Sequence, residues 1–233
     1  MIFRQLFDSE SSTYTYLLGD ETTRQAVLID PVLEQVDRDL QLVQELGLTL
    51  THVFDTHVHA DHVTASGVLR ERTQATVVGG VGGAACANLQ VRHGDEVRVG
   101  KLVFQVLATP GHTDDSVSYL VGDRVFTGDA LLIRGNGRTD FQNGNAGQLH
   151  DSITRVLFSL PDETLVYPAH DYKGRTVTSI AEEKRHNPRV AGKSREEFIH
   201  IMENLNLPKP KKIDIAVPAN RACGHTAPSP QGA

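Results

Sequence analysis

The stretch Thr56-His57-Val58-His59-Ala60-Asp61-His62 sets three imidazoles and one carboxylate within seven residues. Neutral imidazole and ionised carboxylate suit first-row metals such as zinc and iron, and four such groups this close can serve one ion or two. A polar turn whose histidines only hydrogen-bond is the plainer alternative, but neither a core nor a solvated surface has reason to assemble this set. Whatever the fold, it must hold this stretch in a loop whose geometry rigid elements fix.

Three further segments extend the pattern. Pro110-Gly111-His112-Thr113 places a histidine just after the apolar run from Leu102 to Ala108. Val125-Phe126-Thr127-Gly128-Asp129 ends a short apolar run on a carboxylate, and Val166-Tyr167-Pro168-Ala169-His170 ends another on a histidine. Each is weak alone, since Asp after Gly is usually a turn residue and a single His is usually a satisfied polar group. Together they read as ligands delivered from several strand ends to one edge of a sheet.

The chain between these motifs reads as alternating strands and helices. Apolar runs bounded by turn residues predict strands over 14–18, 26–29, 50–54 and 75–78, then over 96–99, 102–107, 118–121, 125–126 and 164–167. Leu33, Val36, Leu40, Val43 and Leu46 recur at helical spacing, as do Leu149, Ile153, Val156, Leu157 and Leu160, and Phe198, Ile201, Met202 and Leu205. The last group follows Ser194 and Glu197, a capping box, and a polar helix is expected near 177–185. The stretch from about Asp61 to Arg72 also reads as helical. Asp61 then falls where an N-cap would, and a carboxylate there equally serves a metal site by orienting its ligands. Gly79-Gly80-Val81-Gly82-Gly83 lacks a following Lys-Ser/Thr and the dinucleotide-binding spacing, so it reads as a tight loop and not a phosphate cradle.

Composition excludes several classes. The net charge of −6, with no run of Lys or Arg, gives no basic footprint for nucleic acid. Cys86 and Cys223 are the two cysteines, far apart and outside any CxxC, so neither a disulfide nor a cysteine zinc site is expected and a reducing compartment is inferred. Cys223 reads as a small apolar filler. No apolar stretch of signal or membrane-spanning length is present, and the chain is expected to be soluble, cytoplasmic and free of membrane contact. One domain over 1–226, with a C-terminal helical segment and a frayed tail over 227–233, is the expected organisation.

The order HxHxDH, PGHT, TGD, PAH resembles the metallo-β-lactamase superfamily from about the first strand to His170. That resemblance implies an α/β (α+β) fold, a four-layer αββα sandwich with the metal site at one edge of two sheets. It implies seven ligand places: His57, His59 and His112 for one metal, Asp61, His62 and His170 for another, and Asp129 between them.

The segment after Asp129, containing Arg134-Gly135-Asn136-Gly137-Arg138-Thr139-Asp140-Phe141, is similar to the persulfide dioxygenases, as are Tyr167-Pro168-Ala169-His170-Asp171-Tyr172 and Val217-Pro218-Ala219-Asn220-Arg221-Ala222-Cys223. Membership would imply oxidation of glutathione persulfide by O2 to glutathione and sulfite in sulfide catabolism, at a single non-haem Fe(II) per subunit held by His57, His112 and Asp129. Three ligands on one face leave positions for both reactants. His59, Asp61, His62 and His170 would then orient ligands or hold water, or else hold a second metal. Zinc stays open, because ligand type alone does not select the ion.

For the carboxylates of glutathione, Arg138 offers a bidentate guanidinium, with Arg134, Tyr172, Lys173 and Arg221 as companions and Asp140 as part of the same loop. An Arg138–Asp140 salt bridge is the plain alternative. The resemblance further implies a homodimer and leaves room for a rhodanese-type sulfurtransferase partner. The competing readings are a dinuclear-metal glutathione thioester hydrolase, resembling glyoxalase II but with a longer helical C-terminal part than is expected here, and a non-catalytic scaffold that would typically have lost ligands.

Overall fold

The computed structural model describes residues 1–225. Twelve strands form two six-stranded sheets. The first follows chain order: β1 (Ile2–Asp8), β2 (Thr13–Gly19), β3 (Gln25–Ile29), β4 (Thr49–Phe54), β5 (Thr76–Gly80) and β6 (Leu89–Val91). The β1–β2–β3 part is antiparallel and the β3–β4–β5–β6 part parallel. The second sheet runs β12 (Thr178–Ser179), β11 (Leu165–Pro168), β10 (Arg124–Gly128), β9 (Val117–Val121), β8 (Leu102–Ala108), β7 (Glu96–Val99). Within it only β10 and β11 pair in parallel.

Alternation along the strands decides which side chains face which layer. Tyr16 and Leu18 of β2 enter the core between the sheets, with Phe54, Phe104, Tyr119 and Phe126. Leu17, between them in sequence, faces outward and packs with Val36 and Val43 of α1 (Val36–Glu45) and Leu69 of α2 (Ser66–Thr73). On the far side of the second sheet, Val125 and Val166 pack against Leu149 of α3 (Ala146–Asp151), Ile180 of α4 (Ile180–His186), and Phe198 and Met202 of α5 (Arg195–Glu203). These layers are the expected αββα order. α5 opens on the capping box of Ser194 and Glu197.

Two buried tyrosines join this core to the site. Tyr16 donates its hydroxyl proton to the Pro168 carbonyl at 2.6 Å, and Tyr119 donates to the Asp55 carbonyl at 3.0 Å. Each satisfies a buried O–H while fixing the backbone just before a histidine-bearing loop.

Several expectations are corrected. Residues 61–65 are not helical; α2 starts only at Ser66, because the Asn220 side chain and the backbone of residues 31–33, and not intrahelical bonds, satisfy the preceding backbone. The polar helix begins at Ile180, since Thr178 and Ser179 pair with β11. β1 and β6 are not among the expected strands. The C-terminal segment is helical as expected, ending in α6 (Ile213–Arg221), which accommodates Pro218. The cysteines are not free: a disulfide joins Cys86 to Cys223 across a sequence separation of 137 residues. Packing of α6 against the loop after β5 brings them together, which local spacing cannot reveal. The expected tail over 227–233 lies outside the described residues.

Candidate metal centre

The site lies where β4, β8, β10 and β11 end. Asp30, just after β3 and at φ +51°, turns its carboxylate back on the loop after β4: Oδ1 accepts from Thr56 N at 2.7 Å and Oδ2 from Thr56 Oγ1 at 2.9 Å. Asp115 accepts from Val58 N at 2.9 Å, tying the same loop to the segment that carries His112. The Gly111 carbonyl accepts from Asn145 N, and the Pro110 carbonyl from Ser152 Oγ, so α3 pins that segment. Gly111 has to be glycine: at φ +129° a Cβ would fall 2.3 Å from Leu149 N.

His57, His112 and Asp129 converge, their ligand atoms all within 4.8 Å of one another. Thr56 Oγ1, having given its proton to Asp30, accepts from His57 Nδ1 at 3.0 Å. The Arg138 carbonyl accepts from His112 Nδ1 at 2.6 Å. Both rings therefore turn Nε2 toward the centre, and His112 Nε2 lies 3.6 Å from Asp129 Oδ2. This anchoring of the far nitrogen is how metal-binding imidazoles are oriented. Burial, with His59 and His112 beside it, pushes His57 well below the usual imidazole range, so its lone pair is available at neutral pH. The donor set, two imidazoles and one carboxylate on one side, fits a single first-row cation.

His170 is held differently. Its Nδ1 donates to Asp129 Oδ1 at 2.6 Å and its Nε2 to Asp61 Oδ2 at 2.9 Å. Burial opposes its charge, yet the Asp129 and Asp61 carboxylates raise it well above the usual imidazole range. Burial likewise opposes ionisation of Asp129, but His170 holds it well below the usual carboxylate range. Thr13 Oγ1 lies 3.1 Å from His170 Nε2 and 3.3 Å from both Asp61 and His62.

His59, Asp61, His62 and His170 form a second group of ligand type. His59 Nε2 lies 3.1 Å from Asp30 Oδ1; burial opposes its charge, but Asp30 raises it to about 9. His59 Nδ1 and His62 Nε2 are buried without a protein partner. Asp61 caps no helix; it serves His62 and His170.

Of the expected substrate-binding residues, Tyr172 sits at the rim, 71% exposed, its ring parallel to His170 at 6.2 Å, with exposed Lys173 next in the chain. Arg138 grips Asp140 with two hydrogen bonds of 2.6 and 2.7 Å, and also donates to the Leu207 and Pro208 carbonyls. Arg134 is occupied by Glu182, Glu183 and Thr178 on α4 and β12, and Arg221 lies at the end of α6, its carbonyl 3.6 Å from Cys86 Sγ. Neither is brought into the histidine group. The sequence reading missed Thr13, Asp30, Asp115 and Asn220; Asp30 alone had a signal, a carboxylate at a strand end like Asp129.

This chain belongs to the metallo-β-lactamase superfamily, whose family model matches residues 9–85 and 88–170. Within it, the chain belongs to the persulfide dioxygenase family. It is 52% identical over 232 residues to the Mus musculus protein "Persulfide dioxygenase ETHE1, mitochondrial", covering 98% of this chain and 91% of that one. A crystal structure of ETHE1 from Myxococcus xanthus is 90% identical, with a TM-score of 0.96 over 97% of this chain and 100% of that chain. A hydroxyacylglutathione hydrolase of Rhodospirillum rubrum is more distant, 34% identical over 173 residues, 72% of this chain and 66% of that protein. Among the described residues no helix is long and apolar enough to cross a membrane.

Proposed function

We propose that the chain oxidises glutathione persulfide with O2 and water to glutathione and sulfite, at one Fe(II) held by His57, His112 and Asp129. The observation that carries the proposal is the convergence of two Nδ1-anchored imidazoles and one ionised carboxylate within 4.8 Å. Iron bound there supplies the redox chemistry that a spin-paired persulfide and triplet O2 lack together.

The protein's own groups do the rest. His57 keeps a neutral lone pair aimed inward, His112 turns its Nε2 to the same point, and the charged His170 keeps Asp129 ionised and in place. That same imidazolium favours an anionic persulfide at the centre. Tyr172 offers a ring and hydroxyl at the rim, and Lys173, which has no carboxylate partner among the described residues, offers a cation for a glutathione carboxylate. Arg138 shares in that recognition by exchanging Asp140 for the substrate's carboxylate. The proposal includes a homodimer supplied by a rhodanese-type sulfurtransferase, which rests on the sequence resemblance, and a cytoplasmic location, which rests on the sequence's lack of a signal-length apolar stretch.

The second reading, a dinuclear glutathione thioester hydrolase, is favoured by one observation: His59 Nδ1 and His62 Nε2 are buried ring nitrogens with no protein partner. A paired assay separates the two. Iron-loaded protein is given glutathione persulfide while O2 uptake is followed, and the same preparation is given S-lactoylglutathione. The proposal expects O2 uptake with sulfite and negligible thioester hydrolysis; brisk hydrolysis without O2 uptake reverses it.

A further inference from the structure

The second half of the loop that carries His57, His59, Asp61 and His62 is held by one side chain of α6. Asn220, buried near the end of α6, donates through Nδ2 to the His59 carbonyl at 2.9 Å and to the His62 carbonyl at 2.8 Å, and accepts through Oδ1 from Thr64 N at 2.8 Å. Together with backbone bonds from Leu33 N to the Val63 carbonyl and from Ala65 N to the Pro31 carbonyl, these replace the helical ladder that residues 61–65 do not form. Just beyond, the Cys223 carbonyl accepts from Gly67 N at 2.7 Å, and Gly224 lies so close to Thr64 that a Cβ would fall 2.1 Å from its carbonyl oxygen. The loop and the end of α6 therefore form one packed unit.

Among the described residues the only covalent tie on that unit is the Cys86–Cys223 disulfide. Cys223 is fully buried, whereas Cys86 sits partly exposed in the turn after β5. Arg70 Nη1 donates to the Cys86 carbonyl at 2.8 Å, which sets one cationic group beside the path of an anionic thiol. The attacked sulfur in an exchange is the accessible one.

We propose that Cys86 is a thiol-exchange site at which a small anionic thiol of the glutathione class opens the disulfide and so loosens Asn220's hold on the metal-binding loop. The thiolate attacks Cys86 Sγ, forming a mixed disulfide and expelling the Cys223 thiolate, which takes up a proton. A second thiol attacks the mixed disulfide at the small thiol's sulfur, giving the small-molecule disulfide and the Cys86 thiolate. The two electrons that reduce the protein come from two thiols, and the small-molecule disulfide reverses the sequence. The proposal does not depend on which reaction the centre runs.

The test uses the full chain. Metal-free oxidised protein is treated with reduced glutathione, its thiols are counted, and amide hydrogen exchange is followed at Thr64 and Gly67; iron loss to a chelator is timed on the iron-loaded form. Opening is expected to speed exchange at both amides and iron release roughly tenfold or more, with β2 amides unchanged. Peptide mass places the first glutathione on Cys86. Cys86→Ser shows the fast behaviour with or without glutathione, and Asn220→Ala shows it with the disulfide intact. Two free thiols with unchanged exchange and iron release overturn the proposal, as does a disulfide that millimolar glutathione leaves closed, or glutathione found on Cys223. Should Cys86→Ser fail to fold, the wild-type comparison decides alone.

Discussion

His170 Nδ1 lies 2.6 Å from Asp129 Oδ1 while its Nε2 lies 2.9 Å from Asp61 Oδ2, so one imidazole joins two carboxylates that leave different sheets. Both ring nitrogens are thereby committed, and the ring acts on the centre through Asp129. His170→Gln is expected to weaken iron binding about 10- to 100-fold, the usual effect of removing a group that orients a ligand. Asp129→Ala is expected to abolish iron retention. Iron content measured across a series of free Fe(II) concentrations distinguishes a shifted curve from a lost site.

Arg138 and Asp140 bear on substrate affinity through the same loop whose carbonyl holds His112. Arg138→Ala is expected to lower stability by about 1–2 kcal/mol, the value of a few charge-assisted hydrogen bonds at a partly exposed site, and to raise KM for the persulfide. Asp140→Ala separates the two contributions. If the guanidinium binds substrate, freeing it from Asp140 leaves KM unchanged or lowers it; a KM rise matching that of Arg138→Ala shows that loop order is what matters.

Gly137 permits a close approach that no other residue allows. A Cβ there would fall 2.7 Å from both Asp129 O and His112 Nδ1. Gly137→Ala should displace the His112 ring without unfolding the sheets, lowering iron affinity roughly tenfold or more while far-UV circular dichroism stays unchanged.

Asp39 on α1 is fully buried, and burial, only partly offset by Arg38, raises it from 3.8 to about 6. The folded state then holds its proton more tightly than the unfolded state. Stability therefore falls as pH rises through the window from about 4 to 6, and the penalty persists above it. Asp39→Asn should be more stable than the parent at neutral pH by about 2–3 kcal/mol, from a shift of roughly two units at 1.36 kcal/mol each. That advantage should vanish near pH 4. Urea unfolding of both proteins at several pH values checks the sign.

The residues of the centre were legible because each of His57, His112, Asp129 and His170 follows a short apolar run, and strand ends are where a sheet delivers ligands. The inner strands were legible for the same reason: β2, β5 and β10 are almost wholly buried and read as apolar runs. β1 was not, since its partly buried edge mixes Arg4 and Gln5 with apolar residues, and β6 is only three residues long. Residues 61–65 misled because their backbone is satisfied by partners distant in sequence, the Pro31 and Leu33 backbone and the Asn220 side chain, the last more than 150 positions away. The disulfide was invisible for the same reason; the Arg138–Asp140 pair was legible two residues apart, but not the 207–208 carbonyls that take the other Arg138 donors.

The central claim is that one iron, held by His57, His112 and Asp129, is sufficient for oxygen-dependent sulfite formation. Anaerobic titration of metal-free protein with Fe(II), with sulfite yield measured on admitting O2 and glutathione persulfide at each step, tests it directly. The account predicts that activity rises linearly and stops at one iron per chain, with His62→Ala reaching the same metal stoichiometry. Activity that appears only as a second metal binds, or full activity with zinc in place of iron, contradicts it.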